Sequence, residues 1–394
     1  MIIAEINTGF RGSTGGIMLN TASLARQNGH NVVTFSAYKK EVPPKGHEYI
    51  GSKCSSLLNR VRSVFTGISE KGSKKATKNL IKRLTELNVD VLHLHNLHGW
   101  YLNVPMLFEY IKSNNVKVIW TLHDCWGFTA QCSHFEYEGC QKWKTGCYEC
   151  PRYKIYPYTY VDKTKKMWKL KKEWFAGIND LTIVTPSKWL ADNVKQSFLK
   201  DYPVKVINNG IDLDVFKPTE SDFRKNYSLE NKKIVLGVAS NWTKRKGLDV
   251  FVKLSQCLTS DYQIVLVGTN DNVDKQLPSN IISIHRTNNQ RELAEIYTAC
   301  DVYANPTREE VLGLVNIESL ACGTPVVTFN AGGSPECVNE DCGSVVEIDD
   351  IDAMEREIVR ICQDKPFAKE ACFDKAREFD KNLKFKEYVE LYLA

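Results

Sequence analysis

Apolar positions in this chain gather into short, β-branched runs separated by stretches of helical spacing. "IIAEIN", "NVVTFS", "VDVLHLH", "VKVIWTLH" and "LTIVTP" form one series. After Lys217 and Pro218 the alternation restarts with "KIVLGVA", "YQIVLVG", "NIISIH", "DVYANP" and "TPVVTF". Strands apolar on both faces and separated by helices predict parallel sheets wound from βαβ units. Two series predict an α/β chain of two Rossmann-like, doubly wound domains. The boundary is expected near "NNGIDLDVFKP". It gives an N-terminal domain over residues 1–212, a C-terminal domain over 213–379, and a tail over 380–394 packed back on the first.

Ligands of open parallel sheets lie beyond the carboxyl ends of the strands, and four polar segments fall there. "NTGFRGSTGG" follows the first strand and precedes a helix expected to begin near Ile17. "HDCW" follows "VIWTL", "SNWTKRKG" follows "IVLGVA", and "PTREEVLG" follows "DVYA". Each half supplies two. Domains facing each other across a cleft would bring the four together, which suits a two-part substrate.

The stretch "TREEVLGLVNIESLACGTPVV" carries the most chemistry. A helix is predicted from about Gly313 through "LVNIESLA", stopped by Gly323 with Pro325 following. Amides of Gly313, Leu314 and Val315 then point out of the helix start without intrahelical partners, ready for an anion. Glu310 precedes them, and Glu318 lies more than a turn beyond. Neither acid suits a phosphate, but both can accept hydrogen bonds from sugar hydroxyls. As structure alone, Glu310 would complement the helix dipole and Glu318 would be a surface residue. Arg245 and Lys246 in "TKRKGLDVF" are placed to neutralise a diphosphate. Gly15 with Gly16, like "GGSPE" at 332–336, permits close backbone approach.

Composition narrows the class. A length of 394 residues suits two cores. Contents of 43% hydrophobic and 25% charged residues are those of a soluble globular protein and exclude a disordered one. No apolar run approaches the roughly 20 residues that span a bilayer, and Met1 leads into a strand with no basic leader. The expected compartment is the cytoplasm. The net charge of +5 is uneven: nine Lys/Arg against one acid from Lys53 to Arg83, and eight against one from Arg152 to Lys172. Interleaved with aromatic residues, these stretches suit peripheral contact with an anionic membrane. No nucleic-acid motif accompanies them, so nucleic acid is not the expected partner.

Five of the 13 cysteines crowd together: Cys125, Cys132, Cys140, Cys147 and Cys150. The last four could close a tetrahedral thiolate site for structural zinc. Zinc would fold an insert too small for a core of its own. Free thiols or labile disulfides are the other reading, and a reducing compartment disfavours the disulfides.

Taken in order, "GG" near the N-terminus, "HD" after a middle strand, "NNGID", "KG", the Glu310–Glu318 pair, "ACGTPVV" and "GGSPE" resemble glycosyltransferase family four. The resemblance spans nearly the whole chain. It implies the GT-B fold and retaining transfer of a hexose-type sugar from a UDP- or GDP-sugar. The implied acceptor is a glycan or lipid-linked glycan of cell-surface polysaccharide biosynthesis, at the inner face of the membrane. Glu318 is implied to bind the ribose, Glu310 the transferred sugar, and Lys246 the diphosphate with Arg245 beside it. Loop residues around Arg286 would flank the base, Gly16 would lie close to phosphate and acceptor, and His123 would contact the sugar at the reaction centre. His123, Glu310 and Lys246 are thus the implied catalytic residues. Many relatives carry an arginine six positions before the lysine, where this chain has Ser240. No cofactor is expected for catalysis, because protein cations and a helix start can stabilise the leaving diphosphate. A nucleotide-sugar epimerase of the same fold and a non-catalytic sugar-nucleotide-binding partner are the alternatives.

Overall fold

A computed structural model describes residues 1–394, which divide into two compact units. Met1–Ile207 and Phe385–Ala394 make the first, Asn208–Lys384 the second. The crossings fall a few residues from positions 212 and 380 because the second unit is tied at its own base. The Ile211 amide donates to Phe379 O (2.9 Å), the Lys381 amide to Ile211 O (3.0 Å), and the Lys381 ammonium pairs with Asp212.

Seven parallel strands form the first sheet: β1 (Ile2–Asn7), β2 (Asn31–Ala37), β3 (His47–Ile50), β4 (Val91–Leu94), β5 (Lys117–Thr121), β6 (Leu181–Thr185) and β7 (Val204–Val206). Their order is β3-β2-β1-β4-β5-β6-β7. The winding reverses between β1 and β4, where such sheets open a crevice for ligand. Ile3, Val91, Ile119 and Val184 build one core layer with Ile17 and Ala22 of the helix Gly12–Gln27. Phe385, Tyr388, Val389 and Tyr392 of the C-terminal helix Lys381–Leu393 complete that layer. The first helix starts at Gly12, not near Ile17, since Gly12 turns the chain at φ +75° directly into it. Gly15 and Gly16 therefore lie inside the helix.

The second sheet holds β8 (Lys233–Val238), β9 (Tyr262–Val267), β10 (Ile281–Ile284), β11 (Val302–Asn305), β12 (Val326–Phe329) and β13 (Gly343–Val346), in the order β10-β9-β8-β11-β12-β13. Successive residues face opposite sides. Ile234 and Leu236 join Tyr297 and Ile317 on one side, while Val235 joins Phe251 and Val302 on the other. Both faces are covered, as an all-parallel sheet requires. Here the reversal lies between β8 and β11.

The cysteine-rich insert after β5 contains two short 3-10 turns, Cys125–Gly127 and Lys142–Lys144. It does have a core of its own, contrary to expectation. Trp143 is buried against Phe128 and Phe135, with ring centroids 5.0 and 4.8 Å away. No helix of the chain is long and apolar enough to cross a membrane.

Candidate active site

The loops that leave β8 and β11 flank the reversal point of the second sheet, and they are fastened to each other. After β8 the chain makes a turn at Lys244–Lys246 and closes it with Gly247 at φ +76°. A Cβ there would lie 2.4 Å from the Pro306 carbonyl oxygen, so only glycine lets the two loops touch. The Arg308 amide donates to Arg245 O (2.9 Å). The buried Arg308 guanidinium grips both Asp249 oxygens (2.9 and 3.0 Å) and reaches Asp349 (2.7 Å). Bidentate, charge-assisted bonds of this kind fix geometry as well as energy.

This bracing brings two of the sequence candidates together. Lys246 Nζ lies 2.5 Å from the Glu310 carboxylate, with the side chains 22% and 21% exposed. Arg245 turns instead toward the buried Glu309 carboxylate, 3.8 Å away. The helix Leu314–Ala321 begins at Gly313, whose φ of +90° suits only glycine comfortably. Amides of its first turn have no carbonyl four residues back to reach. The glycine loop 332–336 supports this corner. Gly333 N donates to Glu310 O (3.0 Å), and Ser334 Oγ accepts from Asn316 Nδ2 (2.9 Å). Glu318 is half-buried one turn into the helix and accepts from the Tyr297 hydroxyl (3.3 Å). Burial pushes its carboxyl up to about 8, against that bond. Arg286 is exposed after the edge strand β10, two strands from β8, and is not brought into this group. Ser240, also exposed, follows β8.

In the first unit, the loops after β1, β4 and β5 carry the candidates. Asn7 links the first two: its Nδ2 donates to Gly9 O (2.9 Å) and its Oδ1 accepts from Asn96 N (3.2 Å). The neighbouring glycines differ. A Cβ on Gly15 would strike the Phe10 backbone at 2.4 Å, whereas one on Gly16 would meet nothing within 4 Å. Gly15 packs the helix on its loop, and Gly16 leaves open space above it. His123 follows β5 and meets His95 of the β4 end, Nε2 to Nδ1 at 3.0 Å. Burial, reinforced by His95, holds the His123 imidazole down at about 3, so it is neutral at physiological pH. Next to it, the Asp124 carboxylate lies 3.0 Å from His98 Nε2. Burial works against both charges, yet the pair lifts His98 above its ordinary value and lowers Asp124 below its own.

The insert thiols influence one another. Burial pushes Cys132 up to about 12, helped by Cys147 and Cys150, and pushes Cys147 up to about 12, helped by Cys150 and Cys140. All are free of disulfides. Thiolates are zinc ligands, and binding would ionise them, but Cys132, Cys140, Cys147 and Cys150 are not gathered as the expected tetrahedral site requires. Two ligand-type clusters have their atoms within 4.8 Å of one another, Glu5–His93–His95 and Asp271–Asp274–His285, and neither contains a cysteine.

Sequence reasoning missed Arg308, Asp249 and Asp349, although "TREE" shows an arginine beside the acids. It also missed Glu5 and His95, hidden as polar residues inside apolar runs. A charged residue in a strand apolar on both faces was the available signal.

Comparison with known proteins identifies the family and the fold. The family described as "Glycosyltransferase Family 4" matches residues 17–215, and "Glycosyl transferases group 1" matches residues 219–382. WcaC, a glycosyl transferase attributed to colanic acid biosynthesis in Escherichia coli K12, is 25% identical over 292 residues, 72% of this chain and 69% of its own. Among solved structures, sucrose-phosphate synthase of Thermosynechococcus elongatus superposes with TM-score 0.73 at 18% identity, covering 99% of this chain and 98% of its own. Anabaena HepE, solved in complex with UDP, gives TM-score 0.69 at 14% identity with 99% of both chains covered. Matched along both units by these families, and folded like GT-B glycosyltransferases, the chain belongs to the group 1 glycosyltransferases of family 4.

Proposed function

We propose that this glycosyltransferase moves a hexose-type sugar, with retention, from a nucleotide diphosphate to a membrane-borne glycan of polysaccharide biosynthesis. The observation that carries the donor site is the Lys246–Glu310 pair beside the open first turn of the helix at Gly313, with Glu318 one turn on. Without donor, the two charges satisfy each other. An arriving diphosphate competes for Lys246 and frees Glu310 to accept from sugar hydroxyls. Glu318 accepts from the ribose. As the bond between the sugar and the phosphate breaks, Lys246 and the Leu314 and Val315 amides hold the charge that develops on the leaving group. They are in place beforehand, which also answers for the missing arginine at Ser240. The acceptor oxygen attacks on the face the diphosphate leaves, and the donor phosphate takes its proton. In the first unit, His123 Nδ1 is buried with no hydrogen-bond partner in the protein and would take one from a bound ligand. HepE was solved with UDP, which makes uridine nucleotides the first to try, ahead of GDP. Thermal shift tests the reading, because a ligand of the folded state raises its melting temperature. No shift with UDP, GDP or their sugars would end it.

The helix Lys53–Thr66 supports a membrane-borne acceptor. It packs inside out. Leu58 and Phe65 are 71% and 64% exposed, while Asn59 and Ser63 are 3% and 0% exposed. Leu57 and Val61 extend the outward apolar stripe, and Lys53, Arg60 and Arg62 surround it with no acid on the helix. A second copy docked there would bring like charges together, whereas anionic lipid satisfies both features. Flotation with phosphatidylglycerol vesicles at low salt is expected to carry the wild type and not Leu58→Glu/Phe65→Glu. A wild type left at the bottom would mean a soluble acceptor.

A further inference from the structure

His123 ends a chain of buried polar side chains that the proposed chemistry does not use. Its ring lies nearly parallel to that of His95, with 5° between the planes and centroids 5.3 Å apart, and the two meet edge to edge through Nε2 and Nδ1. His95 Nε2 in turn lies 3.4 Å from Glu5 Oε2. Tyr392, from the C-terminal helix, donates to Glu5 Oε1 (3.3 Å). The Tyr392 oxygen lies 2.7 Å from His93 Nδ1, and His93 Nε2 meets Thr121 Oγ1 at 2.8 Å. At the open end of the chain, His123 Nδ1 is buried with no hydrogen-bond partner in the protein. A buried polar atom of this kind calls for a partner from outside.

In a neutral imidazole one nitrogen donates and the other accepts. Each ring therefore passes on the polarity it receives. An ionised Glu5 could only accept. His95 and then His123 would turn their N–H groups toward it, and His123 would show the ligand a bare Nδ1. A protonated Glu5 reverses every bond. Because Tyr392 already donates to Oε1, the carboxyl proton belongs on Oε2, which faces His95. Burial favours this state. It raises Glu5 well above the usual carboxylate range, against the Tyr392 bond and the charge of Arg26. It also holds His95 at about 3 and His93 well below its ordinary value. Asp124 and His98 are the charged neighbours of His123 itself. Glu5, His93 and His95 are close enough to hold a cation, but both nitrogens of His93 are already bonded, so protons fill the gaps.

We propose that Glu5 and His95 are positioning residues that set the tautomer of His123, so that Nδ1–H is the donor it presents to an oxygen of the bound ligand. The idea rests on His123 facing the ligand, but its first test needs no substrate. In the full chain with 15N-labelled histidine, NMR at pH 7 is expected to show His123 protonated on Nδ1, assigned by its loss in His123→Gln. Glu5→Met keeps the size and removes the proton. It is expected to shift His123 away from that tautomer and to lower kcat about tenfold or more, with little change in KM. Glu5→Gln, whose amide N–H can donate to His95, is expected to restore both. A wild-type His123 protonated on Nε2 overturns the relay, as does a Glu5→Met protein that keeps Nδ1–H. If Glu5→Met does not fold, the wild-type spectrum decides alone. Failure here leaves glycosyl transfer standing, and failure of nucleotide binding leaves the spectrum readable.

Discussion

Glu310→Gln separates a structural role from a chemical one. The substitution preserves size and removes only charge. Its partner Lys246 lies 2.5 Å away, and both side chains keep about a fifth of their surface in water. Exposed pairs of this kind are worth roughly 0.2–1 kcal/mol, and broken buried pairs roughly 3–5. With each side chain partly screened, a loss of about 1 kcal/mol is expected. For a unit the size of Asn208–Lys384, that lowers Tm by about 2–4 °C. Transfer should suffer far more. A hydrogen bond from a sugar hydroxyl to a charged acceptor is worth about 1.5–3 kcal/mol, so kcat/KM should fall about 10- to 150-fold. The assay pairs a melt with initial rates of nucleotide release at a temperature where both proteins are folded. Full activity with the small Tm loss would refute the assignment. So would an activity loss that disappears once the folded fraction is corrected for.

Other outcomes follow from the same geometry. Burial keeps the Glu318 carboxyl protonated up to about 8, against a usual value of 4.5. Between those values only the unfolded chain has released the proton, so the stability of the second unit should fall as pH rises from 4.5 to 8. Urea titrations should show this slope flattened in Glu318→Gln, and an unchanged slope would contradict the assignment. Gly15→Ala should unfold the first unit or lower its Tm by several degrees, because its Cβ meets backbone at 2.4 Å. Gly16→Ala should melt like the wild type yet raise the KM for donor or acceptor, since its space is open only until ligand arrives. Metal analysis tests the zinc expectation: about one zinc per chain would mean that Cys132, Cys140, Cys147 and Cys150 close around it from the more open arrangement seen here. Cys147→Ser should lose it with a drop in Tm, and a metal-free wild type would leave the aromatic core around Trp143 as the insert's whole support.

The strands legible in the sequence were those with a continuous apolar run, most of them buried on both faces, with the edge strand β10 legible through its isoleucines. β3, β7 and β13 were missed, and each is an edge strand of three or four residues. An edge faces water along one side, so "HEYI", "VKV" and "GSVV" need no continuous apolar run and carry none. The helix after β1 was placed too late because its first turn is glycine-rich, and propensity speaks against a helix there. Gly12 nonetheless makes the turn. In the site, Lys246, Glu310 and Gly313 were readable because a strand end followed by a helix start has a one-dimensional signature. The Arg308 clasp was not. Its partners Asp249 and Asp349 lie 59 and 41 residues away, and only the fold joins them. The same holds for Glu5, His95 and His123, which come from three different strands or their loops.

A structure of the chain with UDP or GDP bound tests the donor site most directly. The pyrophosphate is expected against the Leu314 and Val315 amides, with Lys246 drawn from Glu310 onto a phosphate oxygen and the ribose hydroxyls on Glu318. A nucleotide seated away from residues 310–318, or one that leaves the Lys246–Glu310 pair intact, would contradict the account.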